Sequence, residues 1–118
     1  MAEHNKIGIK GEDIAIEYLK KNGYTIIEKN WRNGHKEIDI IAKKDDIIVF
    51  VEVKTRTSET FSSPEFTISK RKIKLLISAA NAYLLIKGIN DECRFDIITV
   101  IAGEKYRVSE HLENAIIP

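Results

Sequence analysis

Apolar residues recur at the spacing of one helix face near the start of the chain, at Ile7, Gly11, Ile14, Ala15, Tyr18 and Leu19. That spacing predicts a helix from about Lys6 to Lys21, and Asn22-Gly23 supplies a left-handed residue to cap its end. Gly8 and Gly11 on this helix read as a place of close packing rather than a nucleotide loop. Tyr24–Glu28 then reads as a short strand, and the polar stretch from Asn30 to Lys36, with Trp31 and Gly34, as a loop. Glu37–Ala42 and Ile47–Thr55 are rich in β-branched residues and predict two strands, joined by the turn-like Lys43-Lys44-Asp45-Asp46. Thr57–Phe66, with Ser62-Ser63-Pro64, reads as a polar loop. Ser69 is placed to cap a helix running to Lys87, with Ile73, Leu76, Ile77, Ala80 and Leu84 on its apolar face and Gly88 ending it. Cys93–Ile101 and Glu104–Val108 predict two late strands about Ala102-Gly103, and Glu110 to Pro118 a tail or single turn. The order α-β-β-β-α-β-β predicts an α/β sandwich in which helices flank a mixed central sheet.

The pattern also assigns faces. Along Ile47–Thr55, alternation turns Val51 and Val53 to one side and Glu52 and Lys54 to the other. A four-residue turn over 43–46 places Ala42 opposite Ile47 and Asp39 opposite Phe50, so Asp39 shares the face of Phe50, Glu52 and Lys54 and lies diagonal to Glu52. A slip of one residue would send Asp39 and Glu52 to opposite faces; any chemistry that needs both depends on the parity of this turn.

Composition narrows the class. The chain has 118 residues, 43% hydrophobic and 31% charged, which suits one soluble domain with a core and argues against disorder. No apolar run reaches the roughly 20 residues that span a bilayer, and Met1 to Lys10 has no secretory h-region. The single cysteine, Cys93, leaves no internal disulfide. Together these features lead us to expect a reducing, cytoplasmic setting and no membrane partner. With a net charge of +1, any nucleic-acid surface has to be a local patch.

The candidate chemistry sits at the polar end of the most hydrophobic strand. Carboxylates and an ammonium there are costly to desolvate unless paired or solvated. Asp39 and Glu52 suit a hard divalent cation, Mg²⁺ or Mn²⁺, which often takes only one or two carboxylates and keeps waters and phosphate in its shell. The Val53 carbonyl is a third candidate ligand. Such a cation lowers the pKa of water and polarises a phosphate, and Lys54 is placed to orient the water or stabilise developing charge. Glu12 on the first helix is a candidate further ligand or holder of a metal-bound water. The plainer alternatives are a solvated ion pair for Glu52 and Lys54, and an ordinary acidic residue of an early helical turn for Glu12. Glu37 reads as surface or structural.

These residues resemble a known pattern. Asp39 followed by Glu52-Val53-Lys54 looks like the PD-(D/E)XK nuclease superfamily, and Glu12 is similar to the extra acidic residue of its Holliday junction resolvase branch. Gly11-Glu12 with Ala15 and Leu19, Gly23-Tyr24, Asn30-Trp31-Arg32, Glu37-Ile38-Asp39, Val49 to Arg56, Lys70 and Cys93-Arg94-Phe95-Asp96 resemble the YraN-type family of bacterial proteins across nearly the whole chain. The resemblance implies a restriction-endonuclease-like fold, divalent-metal dependence and a nucleic-acid substrate. The chain departs from the pattern at Lys36, where that family usually has Gly, and lacks a Pro directly before Asp39.

The remaining residues fill out the expectation. Lys70, Arg71, Lys72 and Lys74 crowd the first turns of the second helix, where cations oppose the helix dipole unless a phosphate is held there. Lys70, Arg71, Lys74 and, beyond the strand, Arg56 are therefore candidate DNA contacts. Trp31 and Arg32 are candidates to line the groove, with a core role for Trp31 as the alternative. His4, His35 and His111 lack zinc spacing, and Cys93 alone cannot anchor a metal; it reads as a buried apolar residue. The leading expectation is a metal-dependent endonuclease acting on DNA, including branched or damaged forms. The alternatives are a DNA-binding module that has kept the fold without the activity, and a protein-interaction subunit. Homodimerisation and a protein partner stay open, since no motif specifies either.

Overall fold

Alternation along the central strands sorts the core into two layers. The computed structural model describes residues 2–57 and 68–116; the expected loop, beyond Thr57, and its Ser62-Ser63-Pro64 lie outside them, as does the His4 side chain. The elements are α1 (Ala2–Lys21), β1 (Thr25–Asn33), β2 (Lys36–Lys44), β3 (Ile47–Arg56), α2 (Lys70–Lys87), β4 (Cys93–Ile101) and β5 (Arg107–Ile116). They build one five-stranded sheet in the order β1-β2-β3-β4-β5. Only β3 and β4 run parallel; the other neighbours are antiparallel. This is the mixed α/β arrangement expected of a restriction-endonuclease-like fold.

Ile41, Phe50, Phe95 and Ile97 pack with Leu76, Ala79, Ala80 and Tyr83 of α2. Ile40, Ala42, Val49, Val51, Ile98 and Val100 pack with Ala15, Ile16 and Leu19 of α1. Residues that alternate along a strand point to opposite faces, so the helices cover opposite sides of the sheet. The second helix is capped as its sequence indicates: Ser69 Oγ accepts the Lys72 N–H at 3.1 Å, and Gly88 closes the C-terminus at φ 65°. Gly23, at φ 86°, ends α1 with the Tyr24 N–H donating to the Leu19 carbonyl at 3.0 Å.

Four boundaries differ from the sequence expectation. The first helix starts at Ala2 rather than near Lys6. The polar stretch from Asn30 to Lys36 is not a loop: β1 continues to Asn33 and β2 begins at Lys36, paired Trp31↔Ile38 and Arg32↔Glu37. Charged residues are tolerated there because β1 is a sheet edge with one side of its backbone open. The β2–β3 turn has two residues, not four. Asp45 and Asp46 both take positive φ, 50° and 67°, the geometry that matches strand twist in a tight hairpin. Lys44 therefore pairs with Ile47, and the register places Asp39 across from Glu52 rather than Phe50. The displacement is two residues, an even shift, so the faces of the paired residues from Ile40 to Lys44 stand as expected. Finally, residues 110–116 belong to β5 instead of a tail.

A buried polar cluster ties α1 to this frame. Asp96, 1% exposed, accepts two hydrogen bonds from Arg94 (3.0 and 3.1 Å) and one from the Asn114 N–H (3.0 Å), and it meets His111 Nε2 at 2.7 Å. His111 Nδ1 lies 2.9 Å from the Tyr18 hydroxyl of α1, and Arg94 donates to the Tyr24 hydroxyl at 2.6 Å. Each buried polar group thus has a partner, as burial demands.

Candidate active site

Strands β2 and β3 part company at the acids. Their last paired residues are Ile40 and Val51. One step further, the Asp39 carboxylate takes the place of the ladder: its Oδ2 accepts the Val53 N–H at 2.9 Å. The N–H and C=O of one strand residue point toward the same neighbour, so the Val53 carbonyl opens onto the same gap. Alternation is interrupted here, since Ile38 packs on the α2 side and Ile40 on the α1 side. On β1 the register sets Asn30 across from Asp39, and Asn30 has φ 52°. A left-handed non-glycine residue within a strand costs energy and clusters at functional sites; Asn is among the residues that bear it best.

Two acids meet at this gap, and a third stands within reach of their charge. Asp39 and Glu52 lie close enough that each acts on the proton of the other. Burial and the Asp39 charge push the Glu52 carboxyl up to about 8, against the pull of Lys72. Burial likewise raises Asp39, opposed by the Val53 N–H, by Glu52 and by Lys72. Glu12 arrives from α1 and is pushed up to about 7 by burial and the Asp39 charge, while a hydrogen bond from Asn30 pulls it down. Gly11 brings Glu12 in: a side chain there would run into Thr55 of β3, whose Cβ and Cγ2 lie 3.1 Å from the Cβ position. Two carboxyls this close share a proton unless a cation separates them.

The donor set suits a hard cation. Asp39, Glu52 and the Val53 carbonyl are all oxygen donors. Among the described residues no three side chains of His, Cys, Asp or Glu converge as a ready-made cage; two carboxylates plus a backbone oxygen match Mg²⁺ sites that retain water.

The other sequence candidates fall as follows. The β3–β4 register is unbroken from Ile48 to Arg56, so Glu52, Lys54 and Arg56 share a face. Lys54 is exposed and Arg56 half-buried. Lys70, Arg71 and Lys74 stay exposed on α2, while Lys74 and Lys36 line a groove of about 480 Å³ between α2 and the start of β2. Trp31 belongs to the core, edge-on to Tyr83 with ring centroids 5.3 Å apart. Arg32 pairs with Glu37 at 2.9 Å, which leaves Glu37 as a structural partner whose charge reaches Asp39. Cys93 is half-buried, and burial pushes its thiol up, as an inert apolar residue requires.

Two residues have a place at the site that the sequence reading did not give them. Lys72 lies with its ammonium 3.6 Å from Glu52. Its signal was a lysine three residues after the Ser69 cap, where a capping box places Glu or Gln. Asn30, the Glu12 partner, was legible only as a residue out of character within a strand.

The chain matches other proteins along nearly its whole length. A sequence profile described as "Uncharacterised protein family UPF0102" matches residues 11–100, from the packing glycine of α1 to β4. A UPF0102 protein of Flavobacterium psychrophilum is 49% identical over 115 residues, covering 98% of this chain and 97% of its own. One from Bacteroides thetaiotaomicron is 45% identical over 118 residues, covering 100% and 98%, and one from Flavobacterium johnsoniae is 46% identical over 120, covering 98% and 97%. Likeness at this level along the full fold, with the Asp39 and Glu52-Val53-Lys54 motif at the parting of two strands, has one reading: the chain belongs to the UPF0102 family, the YraN-type members of the PD-(D/E)XK nuclease-like superfamily.

Proposed function

We propose that the protein is a divalent-metal-dependent endonuclease acting on DNA, including branched forms. The observation that carries this reading is the meeting of Asp39 and Glu52 with the Val53 backbone at the opening between β2 and β3. Asp39, Glu52 and the Val53 carbonyl would hold a Mg²⁺ or Mn²⁺ ion. When bound, such an ion supplies a water of lowered pKa and a polarised phosphate. Glu12, held near neutrality, is fitted to take a proton at its carboxylate or to orient a water. Lys54 shares the Glu52 face, where an ammonium stabilises negative charge developing on phosphate oxygens. Lys70, Arg71 and Lys74 stand exposed on α2, a cluster of cations that supports DNA as the partner.

The test is cleavage of labelled four-way junction, flap, single-stranded and duplex DNA with Mg²⁺ or Mn²⁺, beside Asp39→Ala and Glu52→Ala. The expected result is cleavage by the native protein and a loss on the order of 10²–10⁴-fold in each variant. Full activity in either variant overturns the assignment. Salt-sensitive binding without cleavage would instead favour a binding module, the reading that the exposed Lys70, Arg71 and Lys74 support on their own.

A further inference from the structure

Lys72 is placed against the preferences of its own helix. It follows the Ser69 cap by three residues, in a first turn that holds no acidic residue. A cation there faces the positive end of the helix dipole, and the usual occupant would be a glutamate or glutamine closing a capping box. Its backbone is fixed by the 3.1 Å hydrogen bond from its N–H to Ser69 Oγ. Its ammonium reaches Glu52 Oε2 at 3.6 Å, with 41% of the Lys72 side chain and 13% of the Glu52 side chain exposed. The same charge acts on Asp39. Lys70, Arg71 and Lys74, its neighbours in sequence, are all exposed.

We propose that Lys72 is a positioning residue of the site: it supplies the positive charge on the Asp39–Glu52 pair in the cation-free protein and moves off toward the substrate phosphate when a divalent cation takes that place. This rests on the metal reading given above. A second cation between the same carboxylates is repelled by the ammonium, so Lys72 and the metal compete for one set of oxygens. The lysine stem has four methylenes and its head reaches solvent, which lets the ammonium withdraw without disturbing the helix. Once withdrawn, it stands at the mouth of the site with one strong preference, an anionic oxygen. Lys72 thereby ties vacancy of the metal site to a preformed acid pair, and occupancy to a free phosphate ligand.

A purely structural ion pair would not produce opposite effects on metal and substrate. The experiment measures Mn²⁺ affinity calorimetrically, without DNA, for native protein, Lys72→Met, Lys72→Arg and Asp39→Ala. Methionine keeps most of the apolar stem, and far-ultraviolet circular dichroism verifies each fold. Binding of a duplex in Ca²⁺ is measured on the same proteins. Lys72→Met is expected to bind Mn²⁺ roughly two- to fivefold more tightly, the scale of one partly exposed ion pair, and to bind DNA more weakly. Lys72→Arg should stay near the native Mn²⁺ affinity. Unchanged or weaker Mn²⁺ binding in Lys72→Met, with native binding intact and lost in Asp39→Ala, overturns the Lys72 role alone. No saturable Mn²⁺ binding by the native protein overturns the metal reading itself, and the Lys72 proposal with it.

Discussion

Glu52 shows how a single residue records the task of its site. Its carboxyl stands at about 8 in the fold against an ordinary 4.5, because burial and Asp39 both penalise its charge. Between those pH values the folded protein holds more protons than the unfolded chain, so stability falls as pH rises through that window. In chelator, the melting temperature is therefore expected to drop between about pH 5 and pH 8, and Glu52→Gln should flatten the slope. An equally steep slope in Glu52→Gln would mean that other groups carry it. Added Mg²⁺ should reverse the loss at the alkaline end, since a ligand that binds only the folded state stabilises it by mass action.

At the scale of elements, the contact between α1 and β3 decides whether Glu12 reaches the acids. Gly11 permits that contact, for a methyl group would press on the Thr55 side chain. Gly11→Ala is expected to cost about 1–3 kcal/mol by overpacking, read from urea unfolding. It should lower DNA cleavage beyond what the stability loss explains, because Glu12 is the next residue. Thr55→Ala in the same chain removes Oγ1 and Cγ2 and should recover part of the cost, a coupling on the order of 1 kcal/mol. Strict additivity of the two substitutions would show that α1 is seated by other contacts. The parting of β2 and β3 matters as much: the carboxylate of Asp39 takes a backbone N–H that a regular ladder would have used, so the site is cut into the sheet itself.

At the scale of the whole molecule, the Asp96 cluster joins α1, β4 and β5. Burial alone would raise the Asp96 carboxyl, but the hydrogen bonds from His111, Arg94 and the Asn114 N–H outweigh it and hold it below the ordinary value of 3.8. Its contribution to stability is thus present above that pH and lost as pH falls further. Asp96→Ala leaves the Arg94 guanidinium without its main partner and is expected to cost about 3–5 kcal/mol. Chemical denaturation at neutral pH measures this, and a loss under about 1 kcal/mol would show that water replaces the carboxylate at little cost. No described helix is long and apolar enough to cross a membrane.

The sequence by itself determined the element order, both helix caps at Gly23 and Gly88, the Ser69 N-cap, and the shared face of Glu52 and Lys54. These follow from local rules: periodicity, left-handed glycine and two-residue alternation act over a few neighbours, and at Asp39, where alternation breaks, they fix only Glu52 and Lys54 on one face. It also carried the family likeness, because the motif residues are fixed in number and type. Only the tertiary structure decided the two-residue turn at Asp45-Asp46, since the run from Lys43 to Asp46 has turn composition throughout and the choice rests on strand twist. Only it extended β1 through Asn30 to Asn33, where pairing to β2 overrides polar composition, and β5 to Ile116, where Asp96 and its partners fix the strand. The roles of Lys72 and Asn30 depend on contacts made across the sheet and helices, 20 residues from Glu52 in one case and 18 from Glu12 in the other. No local pattern reports such a distance, because folding sets it by closing the whole sheet around the acids.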